Sequence, residues 1–398
     1  MMQRSPYTPG VVARSVPGRG ELLEEFDERL SILVDLQQLV GRINVDHGER
    51  GIGKTSLLRA YQRRAQERGV LCIWVTGGEK SGLIAQLLKG IRKETQKWPR
   101  AAAIAKHLDS ANLTLGIPGI ASITTGGDPT PAAGELEARD FEEILNTVTK
   151  NRDRTPALIL FVDEIQSADP AGIRTLATAW QHFQAEAPDL PVAVFAAGLS
   201  NAPEHIASAV TFSERFAYRP LEMLSIGAMV AALRDPAADV GVSWTPPALE
   251  RATSLAAGYP YSVQLYGDAA WTAAGRPDPG GTITLEHVEQ ARGIVDRDMN
   301  ALFAARWSAT TPAEKKFLVA LSWLQEGVDG VERAAIAAAR GVTTTSLSDV
   351  RSQLLEKGLI QTEGHGRLRI TIPGFVQYIR EQEDDPRNRG SHPGSEER

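Results

Sequence analysis

Gly48-Glu49-Arg50-Gly51-Ile52-Gly53-Lys54-Thr55 has the spacing G-x-x-x-x-G-K-T. Glycines let the backbone wrap a compact anion with its own N–H groups, since a Cβ there would block the approach or forbid positive φ. Glu49, Arg50 and Ile52 fill the intervening positions of that cradle. Lys54 would meet the β- and γ-phosphate oxygens of a nucleotide, and Thr55 would ligate Mg²⁺ through its hydroxyl. Ser56 follows in the first turn of a helix whose N-terminal dipole favours the anion. A nucleotide with Mg²⁺ is the expected ligand.

A second group of acids lies about a hundred residues on. Ala157-Leu158-Ile159-Leu160-Phe161-Val162-Asp163-Glu164 is an apolar run that ends in two carboxylates. Alone, it reads equally as a strand that surfaces in two acids. Downstream of a phosphate loop, Asp163 would hold the metal and Glu164 would polarise an attacking water. An aspartate by itself suits holding ATP, whereas the pair is equipped to hydrolyse it. A further apolar run, Val192–Ala197, leads into Ser200-Asn201. Either residue could reach the γ-phosphate or the water, or cap the next helix.

These residues need elements that converge their ends. Short apolar runs at Ile43–Asp46, Val70–Val75, Ala157–Asp163 and Val192–Ala197 alternate with longer helical stretches. Such near-continuous Val/Ile/Leu character predicts strands buried on both faces of a parallel sheet, an α/β P-loop core over residues 18–220. Residues 1–17 read as an extended arm and 113–133 as an irregular Gly/Pro/Thr-rich insertion. After Pro220 the strands stop. Leu224–Leu233, Pro247–Ala257, Tyr261–Ala274 and Leu285–Ala304 predict an α-helical lid over 221–308.

From Thr311 a third unit is expected, ending near 380, with a polar tail over 381–398 that has no hydrophobic period. Thr311-Pro312-Ala313-Glu314 supplies an N-cap, a proline at the first helical position and a glutamate at N3. Helices at Thr311–Leu324, Glu332–Arg340 and Thr344–Lys357, then β runs at Leu359–Thr362 and Arg367–Ile372, describe a winged helix-turn-helix. Leu347, Val350, Leu354 and Leu355 fix the buried face of its third helix. Thr345, Ser348, Arg351 and Ser352 then face solvent, as suits a helix in a DNA major groove, and His365, Arg367 and Arg369 on the wing could reach phosphates or the minor groove. Nine bases against seven acids over 311–380 give this unit a net charge of only +2. A protein-binding winged helix therefore stays open beside a DNA-binding one.

Composition narrows the classes. The chain has 398 residues, 42% hydrophobic and 23% charged, enough for two or three domains with real cores. A single cysteine, Cys72, excludes an intramolecular disulfide framework and suits a reducing cytoplasm. No apolar run is long enough to cross a bilayer, and the N-terminus shows no export signal. The net charge of −6 argues against coating DNA by charge alone. Basic residues nonetheless gather at Lys89, Arg92, Lys93, Lys97, Arg100 and Lys106. They read either as a DNA-contacting groove of an assembly or as a solvated helix face.

Gly48–Thr55, Asp163-Glu164 and Ser200-Asn201 resemble the Walker A, Walker B and sensor 1 elements of AAA+ ATPases. From about Pro17 to Arg380 the chain resembles the origin-recognition-like and STAND-like bacterial ATPases that end in a winged helix. Gly18-Arg19-Gly20-Glu21 is similar to the G-R-x-x-E segment beside the adenine in that group, with the glutamate one residue early; the resemblance implies that Arg19 lies near the nucleotide. Ser213-Glu214-Arg215-Phe216 resembles the segment with an arginine finger. It implies an oligomer in which Arg215 touches a neighbour's γ-phosphate; a salt bridge within the chain is the alternative. Gly258-Tyr259-Pro260 resembles the STAND G-x-P, which places Pro260 at the nucleotide, though it also fits a plain helix-start turn. AAA+ lids carry an arginine nearby, where this chain has Tyr261-Ser262-Val263, so that role is unfilled. The resemblance implies a cytoplasmic, Mg²⁺-dependent ATPase switch that oligomerises and binds double-stranded DNA. A STAND-like signalling scaffold, with slow turnover and a protein-binding winged helix, is the rival reading.

Overall fold

The computed structural model describes residues 3–384, apart from 79–80, 100, 103, 107, 109–137, 152, 328 and 364–365. The expected insertion at 113–133 lies outside the described residues. The chain divides into two compact units. One comprises Arg14–Gly48 and Lys54–Leu221. The other comprises Glu222 onward, together with the N-terminal arm as far as Ala13 and the loop tip Glu49–Gly53.

The first unit is built on a five-stranded parallel sheet of β1 (Ile43–His47), β2 (Leu71–Thr76), β3 (Leu158–Asp163), β4 (Val192–Gly198) and β5 (Phe216–Pro220), in the order β2-β3-β4-β1-β5. Its helices are α1 (Gly20–Val34), α2 (Lys54–Glu67), α3 (Leu83–Thr95), α4 (Ala138–Thr149), α5 (Pro170–Glu186) and α6 (Ala202–Ala209). Every residue of β3 and β4 is buried, as a sheet covered on both faces requires. The α/β architecture expected from the apolar runs is therefore the one observed. β5 escaped the sequence reading. It is an edge strand paired only with β1, and only Phe216 of it is buried, so no continuous apolar run announces it.

The parallel register carries β1, β3 and β4 out of the sheet on one edge, with His47 opposite Gly198 and Val162 opposite Ala196. At that edge lie the loop after β1, the acids after β3 and the polar residues after β4. The basic segment is not one helical face: α3 stops at Thr95, which leaves Lys97 in a turn, while Arg100 lies outside the described residues.

The second unit begins with α7 (Ile226–Ala238), β6 (Ser243–Trp244), α8 (Pro246–Ala256), α9 (Pro260–Ala273), β7 (Thr282–Ile283) and α10 (Leu285–Ser308). α7 runs past the Leu233 boundary expected from the sequence. Pro236 lies inside its last turn, at the cost of the N–H bond to the Ala232 carbonyl, and Ala237 beside it is fully buried. The arm is not merely extended, for Tyr7 is 3% exposed within this unit. Its hydroxyl donates to the Leu233 carbonyl and accepts from Trp244 Nε1 at 2.8 Å. Its ring meets Trp244 and Trp271 edge-on, and a Cβ on Gly267 would lie 2.6 Å from it. Tyr7→Ala is expected to lower the stability of this unit by about 3 kcal/mol in urea titration, as loss of a buried aromatic ring does. A change below about 0.5 kcal/mol would show that the arm anchors nothing.

The chain continues through α11 (Pro312–Leu324), β8 (Val331–Glu332), α12 (Arg333–Ala339), α13 (Ser348–Glu356), β9 (Ile360–Glu363), β10 (Arg367–Ile370) and α14 (Phe375–Asp384). The three strands form an antiparallel sheet in the order β8-β10-β9. The capping box read from the sequence is present: Thr311 Oγ1 accepts from the Glu314 N–H, and Glu314 accepts from the Thr311 N–H. The helix expected over Thr344–Lys357 is instead a 3-10 turn, Thr345–Leu347, followed by α13. α14 runs to Asp384, through the start of the expected tail.

Candidate functional site

β1 delivers the loop from a rigid base. Asp46, 2% exposed, accepts from Arg219 Nε at 3.0 Å, and Arg219 also pairs with Glu25. Burial pushes the Asp46 carboxyl up, while Arg219 and the Tyr61 hydroxyl oppose it. No motif flagged this pairing, because it joins β1 to β5 across 173 residues of sequence.

In the first unit, Lys54 Nζ donates to the Gly48 carbonyl at 3.0 Å, and Thr55 Oγ1 donates to Asp163 Oδ2 at 2.9 Å. A hydroxyl and a carboxylate thus stand together at the start of α2, oxygen donors of the kind Mg²⁺ prefers. Burial raises the Asp163 carboxyl, opposed by the Thr55 hydrogen bond and the Glu164 N–H. The donor set fits a nucleotide-bound Mg²⁺, with Thr55 and Asp163 as its protein partners.

Glu164 adopts a left-handed backbone (φ 52°, ψ 44°), which costs a non-glycine residue about 1–2 kcal/mol. The turn aims its side chain at Gln166, whose Nε2 donates to Glu164 Oε2 at 2.5 Å. Gln166 Oε1 in turn accepts from the Leu199 N–H at 2.9 Å. The amide therefore ties the end of β3 to the end of β4. The neighbouring backbone leaves no room for change: a Cβ on Gly77 would lie 2.3 Å from the Glu164 carbonyl oxygen. Sequence reading missed Gln166 because its role depends on the register of two strands. Gln166→Leu is expected to lower kcat for ATP hydrolysis about tenfold, or roughly 1.4 kcal/mol, with KM nearly unchanged. A purely structural role would lower the melting temperature without moving kcat.

Asn201 stands at the N-cap of α6 but makes no cap hydrogen bond through its side chain, and its buried Oδ1 has no hydrogen-bond partner among the described residues. An orphaned buried acceptor fits a water or ligand contact better than it fits capping. Arg19 occupies the N-cap position of α1. Arg215 lies in a 3-10 turn before β5, and its Nη1 donates to Gln184 Oε1 at 2.5 Å.

In the second unit, the loop tip is shaped by positive φ at Gly51 (83°) and Gly53 (94°). The Tyr259 hydroxyl donates to the Arg50 carbonyl at 2.8 Å, and a Cβ on Gly51 would lie 2.3 Å from the Tyr259 hydroxyl oxygen. Pro260 occupies the first turn of α9, and the residue before it, Tyr259, meets the loop. Ile52 and Glu49 are buried at 1% and 5% exposure.

Glu49 is ion-paired with Arg369, a residue the sequence assigned to DNA phosphates. Arg369 is half-buried and engaged on this carboxylate, with Glu363 also 3.9 Å away. Arg351 reaches Thr362 Oγ1 at 3.2 Å. Thr345, Ser348, Ser352 and Arg367 are exposed, whereas His365 lies outside the described residues. No helix among the described residues is long and apolar enough to cross a membrane.

Residues 15–195 match the family described as AAA ATPase domain, and residues 300–379 match a domain of unknown function, DUF8462. No curated protein matches the chain. Among solved structures, the fold is similar to a Walker-type ATPase of Pyrococcus abyssi, at 15% identity and TM-score 0.55, with 93% of this chain and 99% of that one covered. The ORC1 protein of Aeropyrum pernix, solved in complex with DNA, aligns at 16% identity and TM-score 0.46 over 96% of this chain and 98% of that one. A RuvB mutant of Thermotoga maritima aligns at 15% and 0.47 over 96% and 99%. The glycine loop and the paired acids both fall within residues 15–195, the part of the chain that matches the AAA ATPase domain family.

Proposed function

We propose that the chain is a Mg²⁺-dependent ATP hydrolase that works as a nucleotide-controlled switch, and that its C-terminal helix–sheet region is a winged helix that binds double-stranded DNA. The observation that supports this most is the 2.9 Å contact between Thr55 and Asp163, beside a Glu164 held by Gln166. It pairs two oxygen donors for one cation with a separate carboxylate for one water. Bound Mg²⁺ would neutralise charge on the phosphate oxygens. Lys54 would leave the Gly48 carbonyl for the β- and γ-phosphates, and Glu164 would accept the proton of the attacking water. Asn201 Oδ1 would help orient that water, and Arg215 of a neighbouring copy would complete the site in an oligomer. Exposed Thr345, Ser348, Ser352 and Arg367 support the DNA-binding part.

A ligand shifts an equilibrium only by its differential affinity for the two states. DNA affinity and particle mass should therefore be measured with ATP, ADP and no nucleotide, for wild type and Glu164→Gln. The expected result is a DNA affinity at least about tenfold different between ATP and ADP, or 1.4 kcal/mol of coupling. Equal affinity and equal mass in all three states would reject the switch.

The Arg369–Glu49 ion pair favours a second reading, in which this region binds protein, its own chain included, and the nucleotide is held for long periods. Under that reading turnover is near zero without a partner, and Arg351→Ala with Arg367→Ala leaves DNA affinity unchanged.

A further inference from the structure

The first unit contains a second cleft of about 550 Å³, between α1, α2 and the segment 14–16. Its volume is that of a small-molecule site. Arg14, Arg63, Arg64 and Arg68 line it, against two acids, Asp27 and Glu67. Arg64 pairs with Asp27, and Arg68 pairs with Asp35 while also donating to Ser31 Oγ. Arg14 and Arg63 are different. Arg63 Nη2 donates to the Arg14 carbonyl at 3.0 Å, and neither guanidinium forms an ion pair among the described residues.

The floor of the cleft is apolar. Leu30 and Ala60 are 2% and 6% exposed, and Val16 and Leu23 are half-buried beside them. An uncompensated pair of arginine forks over an apolar floor suits a ligand with a phosphate at one end and a flat or apolar body at the other. A bare anion would leave the floor unused, and an apolar molecule would leave the two guanidinium groups unanswered. Arg63 follows Lys54 by nine residues on α2, which places it about 14 Å along the helix from the phosphate loop.

We propose that this cleft binds a phosphate-bearing organic molecule of mononucleotide size, at a site separate from the phosphate loop. Such a ligand would fasten segment 14–16 onto α2, the helix that begins with Lys54 and Thr55.

The test uses the full chain with one equivalent of Mg²⁺-ADP, so that the phosphate loop is filled without excess nucleotide to occupy the cleft. 5′-AMP, 5′-GMP and inorganic pyrophosphate are titrated by calorimetry, with a 20-base-pair DNA in a parallel arm. One mononucleotide is expected to bind with a stoichiometry of one. Its affinity should fall at least tenfold in Arg63→Ala and in Arg14→Ala, and be lost in Arg63→Glu, while ADP affinity and melting temperature stay unchanged. No heat with either mononucleotide, or affinity indifferent to all three substitutions, overturns the proposal. So does release of the loop-bound ADP by the mononucleotide, which would place its binding within the loop's own site. Pyrophosphate binding as tightly as the nucleotides would leave a simple anion site, and binding of DNA alone would make it a nucleic-acid contact; either result also overturns it.

Discussion

Glu164→Gln is expected to reduce the kcat of ATP hydrolysis by about 10²–10⁴-fold while leaving ATP affinity within about twofold of wild type. The amide has the volume of the carboxylate and keeps an oxygen to accept from Gln166 Nε2, so the turn after β3 survives. What it lacks is the basicity to take a proton from water. Binding rests on other groups, namely the loop backbone, Lys54, and Thr55 with Asp163. Rate and affinity should therefore separate, with single-turnover hydrolysis reporting the first and equilibrium nucleotide binding the second. Asp163→Asn should behave oppositely, weakening the Mg²⁺-dependent part of binding as well as the rate. If Glu164→Gln turns over at the wild-type rate, Glu164 is not the base and its left-handed turn has only a structural purpose.

The features legible in the sequence share one property: their signal is local. The loop shows in eight consecutive residues, and β3 and β4 show as apolar runs because both of their faces are covered. The Thr311–Glu314 capping box shows in four residues. What stayed hidden depends on which distant segments become neighbours. β5 is a half-buried edge, so its sequence carries no distinct period. Gln166 matters only because β3 and β4 are adjacent, and Tyr259 only because the loop tip lies against it. Arg369 was assigned to DNA from its place on the wing, which cannot reveal a Glu49 partner 320 residues away in sequence. Tyr7 lies in a Pro/Gly/Ser-rich arm that reads as unstructured until Trp244 and Trp271 are seen around it.

Lys357→Met is expected to destabilise the second unit by about 3 kcal/mol at pH 7, and Glu314→Gln by only about 1 kcal/mol. The two residues form one ion pair, at 2.7 and 2.8 Å, but their surroundings differ. The Glu314 side chain is 0% exposed, whereas that of Lys357 is 36% exposed. Removing the lysine strands a buried carboxylate whose remaining partner is the Thr311 N–H. Removing the acid leaves an ammonium that water can reach, and glutamine still closes the capping box. The pH response should weaken as well. Burial pushes the Glu314 carboxyl up, but the Lys357 and Thr311 hydrogen bonds outweigh it and hold the pKa below the ordinary value. In the wild type this contribution is therefore present above the unfolded carboxylate's pKa of about 4.3, and is lost as pH falls through that value toward the folded one. In Lys357→Met only the Thr311 hydrogen bonds still oppose burial, so the carboxyl titrates higher than in the wild type and acidification from pH 7 to 5 costs the variant less stability than it costs the wild type. Urea titrations of wild type, both single variants and the double variant at the two pH values measure each quantity. The double variant should be more stable than Lys357→Met alone, because neutralising Glu314 removes the stranded charge. Equal costs for the two single variants would mean that the pair is held at the surface and that burial of Glu314 contributes nothing.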